Sequence, residues 1–338
     1  MCLTDVKFSG WPHIVRAQQF SREWIENVLF PLSQKMEEII LTKFCCHLLE
    51  GKEMISLFCA ESTRTRASFE IAMQKLGGKI TFSAPNARFS SAMGKEESFE
   101  DTVRAISEYG ADVFVIRNDG SEAIADIVDL CKIPIINAAD NAEKDKQHPT
   151  QALLDLYTIQ RNLGEIDGIS VAMIGDLKNG RTVRSLCYLL AKWKIKHIYF
   201  VSPIEFCIGN DIKKYLEERN ISFSECADIR EIASEVDVFY QTRTQKNLGS
   251  NLWSRTDSNS GVFTIIDKEV LKIAKKDSII MHPLPCLDEI VRTEVDSDPR
   301  AIYIESKRGR PSQVRCGLIT RMTELVIVIS PELCNTLI

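Results

Sequence analysis

The segment Ser62-Thr63-Arg64-Thr65-Arg66 places hydroxyl and guanidinium groups side by side. An apolar run, Ile55 to Cys59, precedes it, and apolar residues at helical spacing follow it as far as Gly77, which predicts a strand and then a helix. The polar groups therefore fall at a helix N-terminus, where backbone N–H groups and the helix dipole favour an anion. Arginine adds planar, multidentate charge. The segment predicts a phosphate site; a capped helix with solvated arginines is the plainer alternative.

Two further segments carry a His-Pro pair at the end of an apolar run, namely Gln147 to Asp155 and Met281 to Pro285. A third segment, Gly175 to Thr182, follows a predicted strand and opens a helix. Its glycines match neither the dinucleotide-binding nor the P-loop spacing. This third segment is therefore not interpreted as a nucleotide-binding loop.

The composition is that of an ordinary globular protein, with 44% hydrophobic and 26% charged residues. A net charge of −5 gives no reason to expect nucleic acid or an anionic membrane as a partner. No apolar run reaches the length of a membrane span, and the first residues do not resemble a signal peptide, so we expect a cytoplasmic protein. The eleven cysteines show no zinc-type spacing and are expected to be reduced thiols.

Short apolar runs alternate with amphipathic helical stretches, which is typical of parallel α/β units. The predicted strands are Ile55–Cys59, Lys79–Ser83, Ala111–Arg117, Pro134–Ala138, Ile169–Gly175, His197–Val201, Ile221–Cys226, Val236–Thr242 and Ser278–His282. The predicted helices are Trp24–Leu41 with a possible break at Pro31, Ser62–Leu76, Phe99–Glu108, Ser121–Cys131, Pro149–Leu163, Arg181–Trp193, Asp211–Arg219, Ile229–Glu235 and Leu318–Ile329. At 338 residues the chain is long enough for two domains.

Taken together, STRTR, HPTQ and HPLP resemble the transcarbamoylase family, in the forms typical of its aspartate branch. The resemblance covers roughly residues 17 to 328. It implies an α/β fold of two doubly wound domains, each a parallel sheet flanked by helices, with the active site in the interdomain cleft. Residues 1–149 would bind carbamoyl phosphate, residues 150–311 would bind the amino acid, and a C-terminal helix within 312–338 would pack back on the first domain.

For carbamoyl phosphate, the resemblance implies a defined role for each residue. The phosphate would be held by Ser62, Thr63, Arg64 and Thr65, with Arg64 also stabilising the departing anion. Arg117 would bridge phosphate and carbonyl oxygen, and neutral His148 would donate to that oxygen. Gln151 and the backbone carbonyls of Leu284 and Pro285 would accept from the carbamoyl NH₂ group. Without the resemblance, Arg117 would be interpreted as a surface salt-bridge residue at a strand end. His148 would be interpreted as a histidine that caps backbone groups at the start of a helix.

The segment Ser91 to Lys95 resembles the family's mobile loop, in which a serine and a lysine reach the neighbouring subunit's active site. This implies a homotrimer with shared sites, to which regulatory chains could bind. Glu96 replaces the family's usual glycine after the lysine. For the acceptor, the resemblance implies that Arg181 and Thr182 bind the α-carboxylate, and that Arg243 and Gln245 bind the side-chain carboxylate, with Lys95 nearby. Two arginines suit a dicarboxylate such as aspartate and would repel ornithine.

Several residues depart from the family pattern. Ala60 and Leu248 replace a glutamate and an arginine of an interdomain ion-pair network, and losing both partners avoids an unpaired buried charge. Cys286 replaces the arginine that usually follows HPLP.

Three functions are therefore open. The first is carbamoyl transfer to the α-amino group of aspartate, a step of pyrimidine synthesis, without a cofactor or metal. The second is the same transfer to another amino acid or diamine. The third is a non-catalytic phosphate-binding homologue.

Overall fold

The structure is a computed structural model that describes residues 13–42, 46–87, 97–142, 146–243 and 263–338. The chain divides into two compact units. Unit 1 consists of residues 1–154 and 316–338, and unit 2 consists of residues 155–315. Among the described residues, no helix has the length and apolar character needed to cross a membrane.

The sheet of unit 1 is parallel, with the strand order β2-β1-β3-β4. Its strands are β1 (Glu53–Phe58), β2 (Lys79–Pro85), β3 (Val113–Arg117) and β4 (Ile135–Asn137). The central strands are almost wholly buried, whereas most side chains of the edge strand β2 are exposed. The runs of buried apolar residues are those expected of a parallel sheet covered on both faces.

The helices of unit 1 begin with α1 (Arg22–Trp24), a π-helical turn (Ile25–Leu29) and α2 (Phe30–Leu41). The others are α3 (Thr63–Lys75), α4 (Phe99–Ser107), the first part of α5 (Pro149–Leu163), α10 (Gln313–Ile329, from Cys316) and α11 (Pro331–Leu337). Helix α10 contacts α2 through hydroxyl groups, since Ser33 Oγ lies 3.0 Å from Thr323 Oγ1. Helix α4 is capped by Ser98, whose side chain accepts from the N–H of Asp101.

The sheet of unit 2 is also parallel, with the order β7-β6-β5-β8-β9. Its strands are β5 (Ser170–Ile174), β6 (His197–Val201), β7 (Phe223–Cys226), β8 (Val238–Gln241) and β9 (Ile279–Met281). Its helices are the rest of α5, α6 (Arg181–Leu190), α7 (Asn210–Glu217), α8 (Lys268–Ile273) and α9 (Arg292–Val295). The prediction of two parallel sheets flanked by helices is confirmed.

Each sheet reverses its strand order at one point. In unit 1 the reversal lies between β1 and β3, and in unit 2 it lies between β5 and β8. Ligands of open α/β sheets bind beyond the carboxyl ends of the strands at this switch point. The fold thus marks one candidate edge in each unit.

The predicted strands all occur, and each end lies within two residues of its predicted position. The predicted helix Ser121–Cys131 is wrong: two 3₁₀ turns, Ile124–Asp126 and Val128–Leu130, stand there. At their junction Ile127 has φ −107° and ψ 0°, and the N–H of Ile124 donates to Asp140 instead of to a helical carbonyl. Buried isoleucines mimic a helical pattern here because both turns pack into the core of the unit.

Two other predicted helices are shorter than expected. Ile229–Glu235 contains only the turn Ile229–Glu231, capped by Asp228, and Arg181–Trp193 ends at Leu190. Helices α8, α9 and α11 were not predicted from the sequence.

Candidate active site

The N-terminus of α3 lies at the switch point of unit 1. Strand β1 ends at Phe58, and Ser62 occupies the N-cap position with φ −157° and ψ 75° and without a side-chain capping bond. The first N–H groups of any helix have no intrahelical acceptor, so the positive end of α3 is suited to an anion. Thr65 is buried and Arg64 is exposed, and partial burial lowers the pKa of Arg64. The structure therefore keeps these groups together as predicted.

Arg117 lies beside this helix start. It is the last residue of β3 and pairs in register with Phe58, the last residue of β1. The N–H of Cys59 donates to the carbonyl of Arg117 at 2.9 Å, so the chain entering α3 runs directly past it. The half-buried arginine is thus brought to the same sheet edge as Ser62.

His148 is presented by a tightly bonded loop between β4 and α5. The Asp140 carboxylate accepts from the N–H of Gln147 at 3.0 Å and from the amide of Asn137 at 2.8 Å. Burial raises the pKa of Asp140, and these hydrogen bonds oppose that rise. His148 itself is 5% exposed, with Nδ1 3.5 Å from the hydroxyl of Thr150. Asp140, which positions the residues before α5, was not predicted from the sequence.

In unit 2, a close approach of two backbones shapes the switch point. Gly175 follows β5 with φ +114°, and a Cβ there would lie 2.5 Å from the carbonyl oxygen of Thr242. The N–H and the hydroxyl of Thr242 both donate to the carbonyl of Ile174 at 2.8 Å. Only glycine fits at this point. Exposed Arg243 directly follows Thr242 and is thereby fixed near the end of β5.

The turn from Gly175 to α6 is held by Asp176. Its carboxylate accepts from the backbone N–H of Asn179 at 3.0 Å and from the Asn179 amide. Arg181, half-buried, is the first residue of α6. Arg181 and Arg243 therefore extend from adjacent strand ends of the same unit, as two carboxylate-binding groups require.

Asp155 forms a buried network that sequence reasoning missed. The Tyr240 hydroxyl donates to Asp155 Oδ2 at 2.6 Å, and the Gln313 amide donates to Asp155 Oδ1 at 2.7 Å. Burial and the Asp155 carboxylate raise the pKa of Tyr240 well above its usual value. Gln313 in turn accepts from the N–H of His282 at 2.7 Å. In the sequence, the one sign of this network is that Asp155 places a carboxylate on the apolar face of α5.

This network fixes the start of the turn that follows β9. The N–H of Leu284 donates to His282 Nδ1 at 2.8 Å, so Nε2 carries the ring proton and donates to Glu289 at 2.8 Å. Leu284 has φ +62°, and the Leu284–Pro285 bond is cis. The carbonyls of Leu284 and Pro285 thus belong to a turn with a defined shape.

Unit 1 thus contains the residues predicted for a phosphate and a polarised carbonyl, with Arg117 beside the start of α3 and with His148 and Gln151 after β4: Ser62, Thr63, Arg64, Thr65, Arg117, His148 and Gln151. Unit 2 gathers groups suited to carboxylates, together with the Leu284–Pro285 turn. The predicted site residues Ser91, Lys95 and Gln245, and the departure Leu248, lie outside the described residues.

Comparison with known proteins agrees with this division. Residues 12–161 match the family model of the aspartate/ornithine carbamoyltransferase carbamoyl-P binding domain, and residues 167–318 match its Asp/Orn binding domain. The chain is 43% identical to the chloroplastic aspartate carbamoyltransferase of Arabidopsis thaliana, over 94% of this chain and 77% of that protein. It is 41% identical to the aspartate carbamoyltransferase catalytic subunit of Methanocaldococcus jannaschii, over 92% and 98% respectively.

A solved structure is similar along nearly the whole chain. Aspartate transcarbamoylase from Trypanosoma cruzi, in complex with carbamoyl aspartate and phosphate, superimposes with a TM-score of 0.83 at 35% identity. The match covers 98% of this chain and 99% of the other.

Proposed function

Because the chain belongs to the aspartate/ornithine carbamoyltransferase family, we infer that it transfers the carbamoyl group of carbamoyl phosphate to the α-amino group of L-aspartate. The products are N-carbamoyl-L-aspartate and phosphate, the two molecules held by the similar Trypanosoma cruzi enzyme. We assign the reaction to pyrimidine synthesis. The observation that carries this function is the polar N-terminus of α3 beside Arg117 at the switch point of unit 1.

The reaction is an acyl transfer to nitrogen. The amine forms a bond to the carbonyl carbon, the bond from that carbon to the phosphate oxygen breaks, and the amine's proton passes to the departing phosphate. Charge grows on the carbonyl oxygen and then on the leaving phosphate, so preorganised donors at both positions lower the barrier. No covalent intermediate with a side chain is needed.

We assign binding of the phosphate group of carbamoyl phosphate to four residues, Ser62, Thr63, Arg64 and Thr65. These residues support that role because α3 adds unpaired N–H groups and a positive dipole to their own donors. Arg64 neutralises the charge that develops on the leaving group. Ser91 and Lys95 are assigned to the same substrate from the family resemblance alone.

We assign to Arg117 and His148 the role of donating hydrogen bonds to the carbonyl oxygen of carbamoyl phosphate. Gln151, one helical turn after His148, accepts from the carbamoyl NH₂ group, as do the carbonyls of Leu284 and Pro285. Burial of His148 and Gln151 supports the assignment, since donors and acceptors in a dry site act more strongly than in water.

We assign binding of aspartate, the amine that receives the carbamoyl group, to residues at the strand ends of unit 2. Arg181 and Thr182 bind the α-carboxylate, and Arg243 and Gln245 bind the side-chain carboxylate. The described geometry supports this choice because the Gly175–Thr242 contact fixes the segment that carries Arg243. Lys95 is assigned to both substrates.

A different acceptor is the second candidate, because Cys286 stands where the family has arginine and Ala60 and Leu248 lack the family's charges. A single assay distinguishes the two. Purified protein is incubated with carbamoyl phosphate and a panel of aspartate, ornithine, other amino acids and diamines, and phosphate release is followed. Turnover with aspartate alone supports our assignment, whereas turnover with another amine alone overturns it. Binding of carbamoyl phosphate with no turnover identifies a non-catalytic homologue.

We further propose a homotrimer in which Ser91 and Lys95 complete the site of the neighbouring subunit. The exposed edge strand β2 supports an interface in unit 1, since Phe82 on it is 45% exposed and an open strand edge invites a partner.

Mixing two inactive variants tests the shared site. A trimer that combines Lys95→Ala and Arg64→Ala chains has about one intact site in three, because one interface then pairs an intact Arg64 with an intact Lys95. We expect activity to return when the two variants are dissociated and reassembled together, but not when either is reassembled alone. Mass measurement verifies that mixed trimers form. Verified mixed trimers without activity would contradict the shared site.

We also propose a cytoplasmic location, with reduced thiols. None of the nine cysteines among the described residues forms a disulfide, which suits a reducing compartment. Because the Arabidopsis relative is chloroplastic, cell fractionation with an antibody against the full chain is the decisive measurement.

A further inference from the structure

A cluster of three metal-binding side chains follows β9 in unit 2. His282, Cys286 and Glu289 each offer one ligand atom, and these atoms all lie within 4.8 Å of one another. We propose that this cluster binds one thiophilic divalent cation of the zinc class, which goes beyond the transfer reaction.

The distances suit such an ion. A tetrahedral zinc ion with sulfur, nitrogen and oxygen ligands at about 2.0 to 2.3 Å separates those ligands by roughly 3.3 to 3.8 Å. In the structure, His282 Nε2 lies 2.8 Å from Glu289 Oε1, and the 4.8 Å limit on all three separations brackets the range that an ion needs. Three protein ligands leave one coordination position for water or another small ligand.

Burial and charge favour a cation here. His282 is 1% exposed and Glu289 is 5% exposed, so both are held in place by packing. The Glu289 oxygen Oε1 accepts from His282 Nε2 at 2.8 Å and from the N–H of Leu287 at 3.1 Å, so donors already surround it. A cation bound there would offset the cost of holding a carboxylate in a dry setting.

The thiol of Cys286 supplies the sulfur ligand. It is half-buried and packs against the core of unit 2. A metal ion binds sulfur as thiolate, so binding releases the thiol proton to water. The combination of soft sulfur and imidazole ligands selects zinc-like ions over Mg²⁺ and Ca²⁺.

Binding would also change the adjacent turn. In the free protein, His282 Nδ1 accepts from the N–H of Leu284 and Nε2 carries the ring proton. Coordination through Nε2 moves that proton to Nδ1, which can then no longer accept from Leu284. The metal site is thus linked to the shape of the Leu284–Pro285 turn.

Cobalt binding to the whole protein tests the site without an activity assay. Thiolate-bound Co²⁺ gives a charge-transfer absorption in the near ultraviolet, and Zn²⁺ should displace it. We expect Cys286→Ser to abolish this absorption and to remove one bound metal ion per chain. Because the chain has eleven cysteines, the measurement is the difference between wild type and variant.

Cys226→Ser is the matched control. Cys226 lies in the same unit, and like Cys286 it is half-buried and packs against the core of that unit. It belongs to no metal-binding group among the described residues. Its variant should bind cobalt as the wild type does. Equal binding by wild type and Cys286→Ser would overturn the proposal.

A second variant keeps the test valid if Cys286→Ser does not fold. Glu289→Gln retains an oxygen that accepts from His282 and from the N–H of Leu287, so the turn keeps its hydrogen bonds. Removing a charged ligand should weaken Zn²⁺ binding by more than the roughly 10- to 100-fold loss typical of an outer-shell partner. Unchanged affinity in this variant would equally contradict the site.

An effect on turnover rests on the proposed function and is measured separately. Zn²⁺ should inhibit the wild type and Cys226→Ser by raising the KM for carbamoyl phosphate, and should leave Cys286→Ser unaffected. Metal binding without inhibition would refute the coupling to the turn while leaving the metal site in place. Absence of turnover in every variant would count against the proposed function alone.

Discussion

At the scale of single residues, a site residue could be predicted where its type and its neighbours in the sequence form a recognisable pattern. The hydroxyls and arginines after β1 were predicted because a helix N-terminus and short donors form a local pattern. Asp140 and Asp155 were not predicted. Their roles depend on partners far along the chain, such as Gln313 for Asp155, which no local spacing encodes.

Arg64 should be essential for turnover. Its guanidinium is assigned to the charge that develops on the leaving phosphate, so Arg64→Ala should lower kcat/KM by roughly 100- to 1,000-fold. Steady-state phosphate release with carbamoyl phosphate and aspartate measures the loss. Because Arg64 is exposed, the fold should be retained.

Arg104→Ala is the matched control for that substitution. Arg104 lies in the same unit, on α4, and its guanidinium pairs only with nearby Asp101 at 3.6 Å among the described contacts. An exposed pair of this kind contributes little to stability. A rate for Arg64→Ala close to that of this control would refute the role of Arg64.

At the scale of elements, the sheets were predictable and the short helices were not. A buried parallel strand appears as a continuous apolar run, so every strand was found to within one or two residues at each end. The segment Ser121–Cys131 shows the limit. Its isoleucines and valine are buried by two separate turns, and an apolar pattern cannot distinguish those turns from one helix.

Gly175→Ala should disturb the meeting of β5 and β8. The new Cβ would lie 2.5 Å from the carbonyl oxygen of Thr242, at a backbone φ of +114°. We expect a loss of about 3 kcal/mol in the free energy of unfolding, from strain and from the displaced strand end together. The KM for aspartate should rise because Arg243 directly follows Thr242.

Gly168→Ala separates these two causes. Gly168 also has a positive φ, +80°, but no atom lies within 4 Å of a Cβ built there. This control should lose only about 1 to 2 kcal/mol, with an unchanged KM. Urea unfolding and steady-state kinetics measure both variants. Equal KM values for aspartate would show that the Thr242 contact does not position the acceptor residues.

At the scale of the whole molecule, stability should depend on a histidine that sequence reasoning did not single out. His13 is fully buried, and its Nδ1 accepts from the N–H of Ile135 at 2.9 Å. Burial lowers its pKa from 6.5 to about 4, and nearby Asp129 only partly opposes this. Its partner is over a hundred residues away, so the sequence alone gave no sign of this arrangement.

The sign of the resulting pH dependence follows directly. Between pH 6.5 and about 4 the unfolded chain binds a proton at His13 and the folded chain does not, so stability falls as the pH is lowered through this range. The loss amounts to at most about 3 kcal/mol. His13→Asn keeps an acceptor for Ile135 and should make the urea midpoint less dependent on pH. An identical pH dependence in the variant would exclude His13 as its source.

The reversal of strand order in both sheets has a consequence for how such an enzyme can evolve. Loops beyond β1 and β3 and loops beyond β5 and β8 are encoded by separate stretches of the gene, each anchored on its own buried scaffold. A mutant library restricted to codons after β5 and β8 should therefore yield new amine specificities while recognition of the carbamoyl donor is retained, so that selection changes one substrate preference at a time.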